Sequence, residues 1–314
     1  MKIGVIDIGS NTVRLVVYRF NQKNIENIED VEKILNESHF VGLVEYIDGN
    51  VLIYNGVMKL IEALTAHKEL INEIQCDEVY CFATASLRNL KNANDIIFKV
   101  KSELDFDVDI ISGEQEVHYD YIGVSDCIKE KRGVGLDLGG GSCQIFSFAD
   151  DNIINSDSFN IGSLVTYKNY VDGLLPTKKE IKKIKKFVKK NLLNNKALKG
   201  IGYEKVYAIG GSARAGAKLH KAFVGNDGNA SDYILTVEQI DEMIKTIYKM
   251  DIKGISFICH VIPERVYTII PGLIILRTIC KYIGAEKIQT VKGSVREGYL
   301  WEKILKKNCS SIEN

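Results

Sequence analysis

The 314-residue chain lacks an apolar run of membrane-spanning length, a Cys-x-x-Cys pair, a zinc-type histidine spacing and an excess of either charge, and each absence closes off a class of function. The first apolar run, Ile3 to Ile8, is interrupted by Asp7 and lacks the shape of a signal peptide, so a cytoplasmic protein with no membrane partner is expected. The cysteines at 76, 81, 127, 143, 259, 280 and 309 are odd in number and read as reduced core thiols rather than a disulfide framework. The five scattered histidines give no reason to expect a transition-metal centre. Lys+Arg and Asp+Glu both number 41, so no global attraction to nucleic acid follows, and any anion must be held by a local patch. With 46% hydrophobic residues, 26% charged residues and no low-complexity linker, the chain reads as globular and long enough for two domains.

What is present is a glycine turn between two apolar strands, Gly133 to Phe148, GVGLDLGGGSCQIFSF. Consecutive glycines tolerate positive φ and carry no Cβ, so such a turn can aim several backbone N–H groups into one concave space that cradles a phosphate. Asp137 ends the first strand beside that space, where a carboxylate suits a Mg²⁺ that joins protein to phosphate oxygens. The pattern occurs twice. At a constant offset of 130 positions, Asp7 matches Asp137, Gly9 matches Gly139, Asn11 matches Gly141, Thr12 matches Ser142 and Leu15 matches Ile145. Two copies of strand, Asp-x-Gly turn and strand predict two related half-structures with a ligand cleft, against the plainer alternative of two ordinary hairpins. No Gly-Lys-Ser/Thr follows either turn, which excludes a P-loop. The residues after each turn are β-branched and aromatic, which predicts hairpin tips rather than a Rossmann strand-to-helix turn.

Between and beyond the repeats, helical spacing covers Val57 to Leu70, and Glu78 to Ala83 reads as a buried strand leading through Thr84 and Ser86 to Arg88. Arg88 can fork onto phosphate oxygens or serve as a surface ion-pair residue. Ser112-Gly113 ends the strand Phe106 to Ile111 and opens a helix with Glu114 and Glu116 in its first turn and an inner face at Val117, Tyr121, Val124 and Ile128. Acids there complement the helix dipole and also stand where ligand sites gather at strand-to-helix junctions. Thr177 with Glu180 and Thr236 with Gln239 form capping-box patterns. The first of these helices carries eight lysines between Lys178 and Lys190, either a solvated face or an electrostatic guide for a long polyanion. Gly210, Gly211 and Ser212 start another helix whose N–H groups suit an anion or a base edge.

Together these residues resemble the exopolyphosphatase/guanosine pentaphosphate phosphatase (Ppx/GppA) family of the sugar kinase, heat-shock protein and actin superfamily. The likeness runs in order through Asp7-x-Gly-Ser-Asn, Thr84 to Arg88, Ile111-Ser-Gly, Asp137-x-Gly-Gly-Gly-Ser, Ala208 to Ser212, Arg265 to Pro271-Gly272 and Arg296-Glu-Gly, nearly the whole chain. It implies an α/β fold of two ribonuclease H-like domains, each a mixed five-stranded sheet flanked by helices, at residues 1–128 with the C-terminal helix 296–314 packed back, and 129–295. It also implies a homodimer, and removal of the terminal phosphate from polyphosphate or guanosine pentaphosphate with Mg²⁺. Glu116 takes the position of the catalytic base, with Glu114 as the fallback and Arg88 beside them. Phosphate contacts fall on Asp7, Gly9, Ser10, Asn11, Thr12, Arg14, Thr84, Gly139, Gly140, Gly141, Ser142, Gly210, Gly211 and Ser212, and the metal on Asp137 and Gln144.

Two departures stand out. Gln115 replaces an acid in the family's Ser-Gly-x-Glu-Glu, and Gln144 replaces the metal-binding glutamate of Gly-Ser-Thr-Glu, which lowers the expected Mg²⁺ affinity. The chain also has no His-Asp dipeptide of the longer relatives, which implies the short form. The competing reading is a weakened relative that senses guanosine tetraphosphate or polyphosphate. A third, a sugar kinase of the same superfamily, needs a sugar pocket for which no residues stand out.

Overall fold

The amino-terminal repeat folds as an antiparallel hairpin, β1 (Lys2–Ile8) with β2 (Thr12–Arg19), in a computed structural model that describes residues 1–20, 30–193, 198, 202–226, 230 and 232–305. The chain forms two units, residues 1–119 with 296–314, and residues 120–295. In the first, β3 (Glu32–Phe40) continues the meander, and a short ladder of β4 (Ile47–Asp48) and β5 (Val51–Leu52) leads into α1 (Tyr54–Ile74). Next come β6 (Glu78–Ala83), α2 (Ala85–Arg88), α3 (Ala93–Leu104), β7 (Val108–Ile110) and α4 (Gly113–Ser125). The sheet order is β3-β2-β1-β6-β7, with β6 and β7 parallel to β1. Ile3, Val5, Ile6 and Ile8 of β1 are all buried, as a central strand covered on both faces requires.

The second unit repeats this plan with β8 (Arg132–Leu138), β9 (Cys143–Ala149) and β10 (Asn152–Phe159) as its meander. After α5 (Ser163–Tyr170) and α6 (Lys178–Leu192), β11 (Lys205–Ile209) runs parallel to β8 and enters α7 (Gly210–Phe223). Then follow β12 (Ile234–Thr236), α8 (Val237–Lys249), α9 (Ile252–Val261), α10 (Ile269–Ile283) and β13 (Lys287–Thr290), before α11 (Val295–Tyr299) begins the return to the first unit. The order β10-β9-β8-β11-β13-β12 has one strand more than the expected five, because Ile234-Leu235-Thr236 adds antiparallel to β13 just before the Thr236 capping box. Both expected capping boxes are present.

The inner face expected for α4 differs. The helix ends at Ser125, short of Ile128, and its buried positions include Glu116, Tyr119 and Asp120 alongside Val117 and Val124. Tyr121 is only half-buried, because α4 passes from one unit into the next and no single stripe serves its whole length. Among the described residues no helix is long and apolar enough to cross a membrane.

One buried histidine, on α1, meets a half-buried histidine on β3. His67 of α1 is fully buried with Nε2 2.9 Å from His39 Nδ1, and burial, aided by His39, pushes its pKa from 6.5 down to about 4. Between those values the unfolded chain binds a proton that the folded chain excludes, so stability rises with pH across that window. Lowering the pH from 7 to 4 is expected to remove on the order of 2–3 kcal/mol through this residue. Urea midpoints across that range check it, and His67→Leu should flatten the profile.

Candidate active site

The two hairpin tips are built alike. Gly9 N–H donates to Thr12 O at 3.0 Å, and Gly139 N–H donates to Ser142 O at 3.0 Å. In the first tip the carbonyl of Ser10 accepts from Val44, and that of Asn11 accepts from Val41 and Gly42. In the second, Gly139 O accepts from Ser163, and Gly140 O accepts from Leu164 and Val165 at the start of α5. A trans peptide aims its N–H opposite to its carbonyl. The N–H groups of Asn11 and Thr12, and of Gly140 and Gly141, therefore point away from those partners, the orientation an anion-holding tip requires.

Gly162 shows how closely α5 sits on its tip, since a Cβ there would lie 2.0 Å from Gly140 O and 2.4 Å from Gly141 N. Both obstacles are backbone and cannot swing aside. Gly162→Ala is therefore expected to displace the turn and lower stability by about 3 kcal/mol, the upper range for overpacking. Thermal denaturation beside wild type checks this, and a shift below 2 °C, roughly 1 kcal/mol for a chain of this size, would show that the turn yields freely.

At the end of β8, Asp137 lies opposite Gln144 on β9 and beside Ile209 on β11, and its carboxylate overhangs the start of α7. A Cβ on Gly210 would meet Asp137 Oδ1 at 2.1 Å, and Gly210 also has φ +85°, so glycine is required there twice over. A Cβ on Gly211 would meet the Arg265 guanidinium at 2.0 Å. Ser212 Oγ is buried and donates to Ser163 Oγ at 3.3 Å. The α7 start thus brings Asp137, Gly210, Gly211 and Arg265 together.

Gln144 is buried, and its amide nitrogen donates to Ser142 Oγ and Ser158 Oγ, each at 3.0 Å, which commits that end of the side chain. Among the described residues no group of three or more His, Cys, Asp or Glu side chains could hold a metal. One carboxylate at a glycine-rich turn still fits Mg²⁺, which keeps several waters and is commonly completed by substrate phosphates.

In the first unit, Arg88 closes the short helix α2 after Thr84, while Ser86 Oγ donates to Ile8 O and ties that helix to the base of the first tip. Arg88 Nη1 donates to Ile111 O at 3.0 Å and to Glu116 Oε2 at 2.8 Å. The side chains are 18% and 6% exposed, so this pair is far less screened than a surface one. Guanidinium carries five N–H groups, and those on Nε and Nη2 are not part of this contact. Glu114 is exposed one step away. Gln115 has a structural part that its sequence context concealed: Ser112 N–H donates to its Oε1 at 2.8 Å, and its own N–H donates to Ser112 Oγ at 3.1 Å, a capping box that starts α4.

Three contacts made by Arg296 and Glu297 escaped the sequence reading. Asp7 Oδ2 accepts from Arg296 Nη1 at 2.6 Å with both side chains 13% exposed, so Asp7 is held by an ion pair across 289 residues of chain. The neighbouring Glu297 accepts from Tyr18 Oη at 2.9 Å and pairs with Lys33 at 2.6 Å. Burial, with Glu297 adding to it, drives the Tyr18 hydroxyl well above its ordinary pKa. Arg14 lies two residues past the tip, where its Nη1 donates to Asn36 of β3 at 2.7 Å.

A family model described as the Ppx/GppA phosphatase family matches residues 21–307. The chain is 27% identical over 311 residues to a Bifunctional 3-dehydroquinate synthase/phosphatase of Fusobacterium nucleatum, covering 93% of this chain and 46% of that protein. It is 22% identical to Exopolyphosphatase 1 of Mycobacterium bovis, covering 97% and 88%. It is 26% identical to a Guanosine-5'-triphosphate,3'-diphosphate pyrophosphatase of Pseudoalteromonas atlantica, covering 94% and 57%. The chain thus spans about half the length of the first and third of these relatives. The crystal structure of an exopolyphosphatase from Cytophaga hutchinsonii superposes with a TM-score of 0.84 at 19% identity, covering 98% of both chains, which shows the fold.

Proposed function

Because the chain belongs to the Ppx/GppA phosphatase family, we propose that it is a phosphoanhydride hydrolase that removes the terminal phosphate of inorganic polyphosphate or guanosine pentaphosphate. The observation that carries this reading is Glu116, a nearly buried carboxylate held at 2.8 Å by Arg88 in the first turn of a capped helix. Glu116 takes a proton from water as the water oxygen attacks the terminal phosphorus in line with the departing bridging oxygen. The P–O bond to that bridging oxygen breaks, releasing orthophosphate and a chain one phosphate shorter. Arg88 orients the base and has N–H groups left for the phosphoryl oxygens. In the first unit the N–H groups of the Asn11–Thr12 turn would hold oxygens of that phosphoryl group as charge shifts onto them, and in the second unit those of the Gly140–Gly141 turn are a phosphate cradle beside Asp137. Asp137 would hold Mg²⁺, which when bound offsets the charge of the phosphates.

Release of orthophosphate from short polyphosphate, long polyphosphate and guanosine pentaphosphate, with and without Mg²⁺, tests the reading. Release is expected with Mg²⁺ and is expected to stop with chelator. Because Gln144 brings no negative charge, half-saturation should need millimolar rather than micromolar Mg²⁺. The same amide favours a second reading, a sensor that binds guanosine tetraphosphate without turnover. Tight binding with no release from any substrate would select the sensor.

A further inference from the structure

The lysines of α6 are not one undifferentiated face. Lys178, Lys182, Lys185 and Lys189 recur at spacings of four, three and four residues and form one stripe, while Lys179, Lys183, Lys186 and Lys190 form a second beside it. At 1.5 Å per residue each stripe runs for about 16 Å. The first stripe borders α10, where Lys185 and Lys189 meet Arg277 and Lys281 around a hollow of about 360 Å³, with Leu193 and Tyr282 in its wall. Two of these four cations pair with Asp241, and Lys281 also borders a second hollow lined by Glu238, Glu242 and Glu286. Asp241 pairs with Arg277 Nε and lies 3.7 Å from Lys281 Nζ. Lys185 is half-buried there and makes no ion pair among the described residues. Its pKa is lowered first by burial and then by Arg277, with Lys281 and Lys189 adding to it.

A solvated lysine face disperses its charges into water, whereas this one gathers two helices' cations around a concave surface and leaves Lys185 and Lys189 with no ion pair among the described residues. We propose that the hollow formed by Lys185, Lys189, Arg277 and Lys281, with the Lys178–Lys189 stripe leading into it, is a docking site for a long linear phosphate chain, separate from the residues that act on its end. The occupant's identity rests on the phosphoanhydride reading above, and the charge complementarity rests on these residues alone. A linear polyanion suits the stripe because it can neutralise successive lysines along the helix, which a single compact anion cannot do. Lysines are point charges that track phosphates, and the aromatic in the wall, half-buried Tyr282, has its hydroxyl tied to Leu192 O and stands alone there among the lining residues, whereas a nucleobase-stacking surface requires a succession of rings. A short substrate engages only the residues at the reacting end, so the site would distinguish chain length.

The test compares wild type with the triple variant Lys185→Gln/Lys189→Gln/Lys281→Gln. A second triple variant, Lys179→Gln/Lys183→Gln/Lys186→Gln, removes equal charge from the other stripe. For the first variant, KM for long polyphosphate is expected to rise about fivefold or more, with kcat and the KM for tripolyphosphate within about twofold, and the second variant should stay close to wild type. Direct binding of long polyphosphate, followed by anisotropy in a Glu116→Gln background, should weaken equally, and its log–log salt slope should fall by about two to three. Wild-type binding of long polyphosphate by the first variant, or equal losses in both variants, overturns the site. Binding of double-stranded DNA as tight as that of polyphosphate overturns the occupant. If no substrate is hydrolysed yet binding still depends on these lysines, the function above fails and the docking site stands.

Discussion

Replacing Glu116 with glutamine is expected to lower kcat for phosphate release by about a hundredfold to ten-thousandfold, the range that positioned general bases contribute, with little change in KM. The amide keeps the shape of the side chain and can still accept from Arg88, so the fold should persist. What it loses is the ability to take a proton from water. Glu114→Gln provides the contrast: that side chain is exposed and Arg88 is bonded to Glu116, so its rate should stay within about threefold of wild type. If the two variants exchanged these outcomes, the base would be Glu114, and if both stayed active the proposed chemistry would be wrong.

Replacing Arg296 with methionine is expected to cost about 3–5 kcal/mol of stability, the loss seen when one member of a buried pair is removed. Asp7 is only 13% exposed and its Oδ2 has Arg296 as its partner, so the variant leaves a carboxylate with little water to solvate it. The double variant Asp7→Asn/Arg296→Met should recover much of the loss, because it removes the uncompensated charge. Urea unfolding of the four proteins gives the coupling directly. Additive losses from the two substitutions would show that the pair contributes nothing specific. Asp7 stands two residues before Gly9, so the single variant should also slow phosphate release.

The duplicated Asp-x-Gly hairpins were legible because their signal is local: a strand, a glycine turn and a strand with matching spacing. The capping boxes at Thr177 and Thr236 were legible for the same reason, since every group involved lies within four residues. The Arg296–Asp7 pair was not legible, because nothing in a sequence of 41 acids and 41 bases says which of them meet across 289 residues. Gln115 was legible only in part. Measured against a family pattern it was a missing acid, whereas physically it fills the fourth position of Ser-x-x-Gln and satisfies a backbone N–H. The sixth strand of the second sheet was missed because three residues beside a loop carry too little alternation to be counted.

The first unit is completed by a segment that begins at residue 296, after the whole second unit has been made. During synthesis, Asp7 of β1 and Tyr18 of β2 must wait until the second unit has been made before Arg296 and Glu297 reach them. All five strands of the first sheet precede residue 111, so that sheet can pair before the second unit is translated, and what arrives last is the segment that gives Asp7 and Tyr18 their partners.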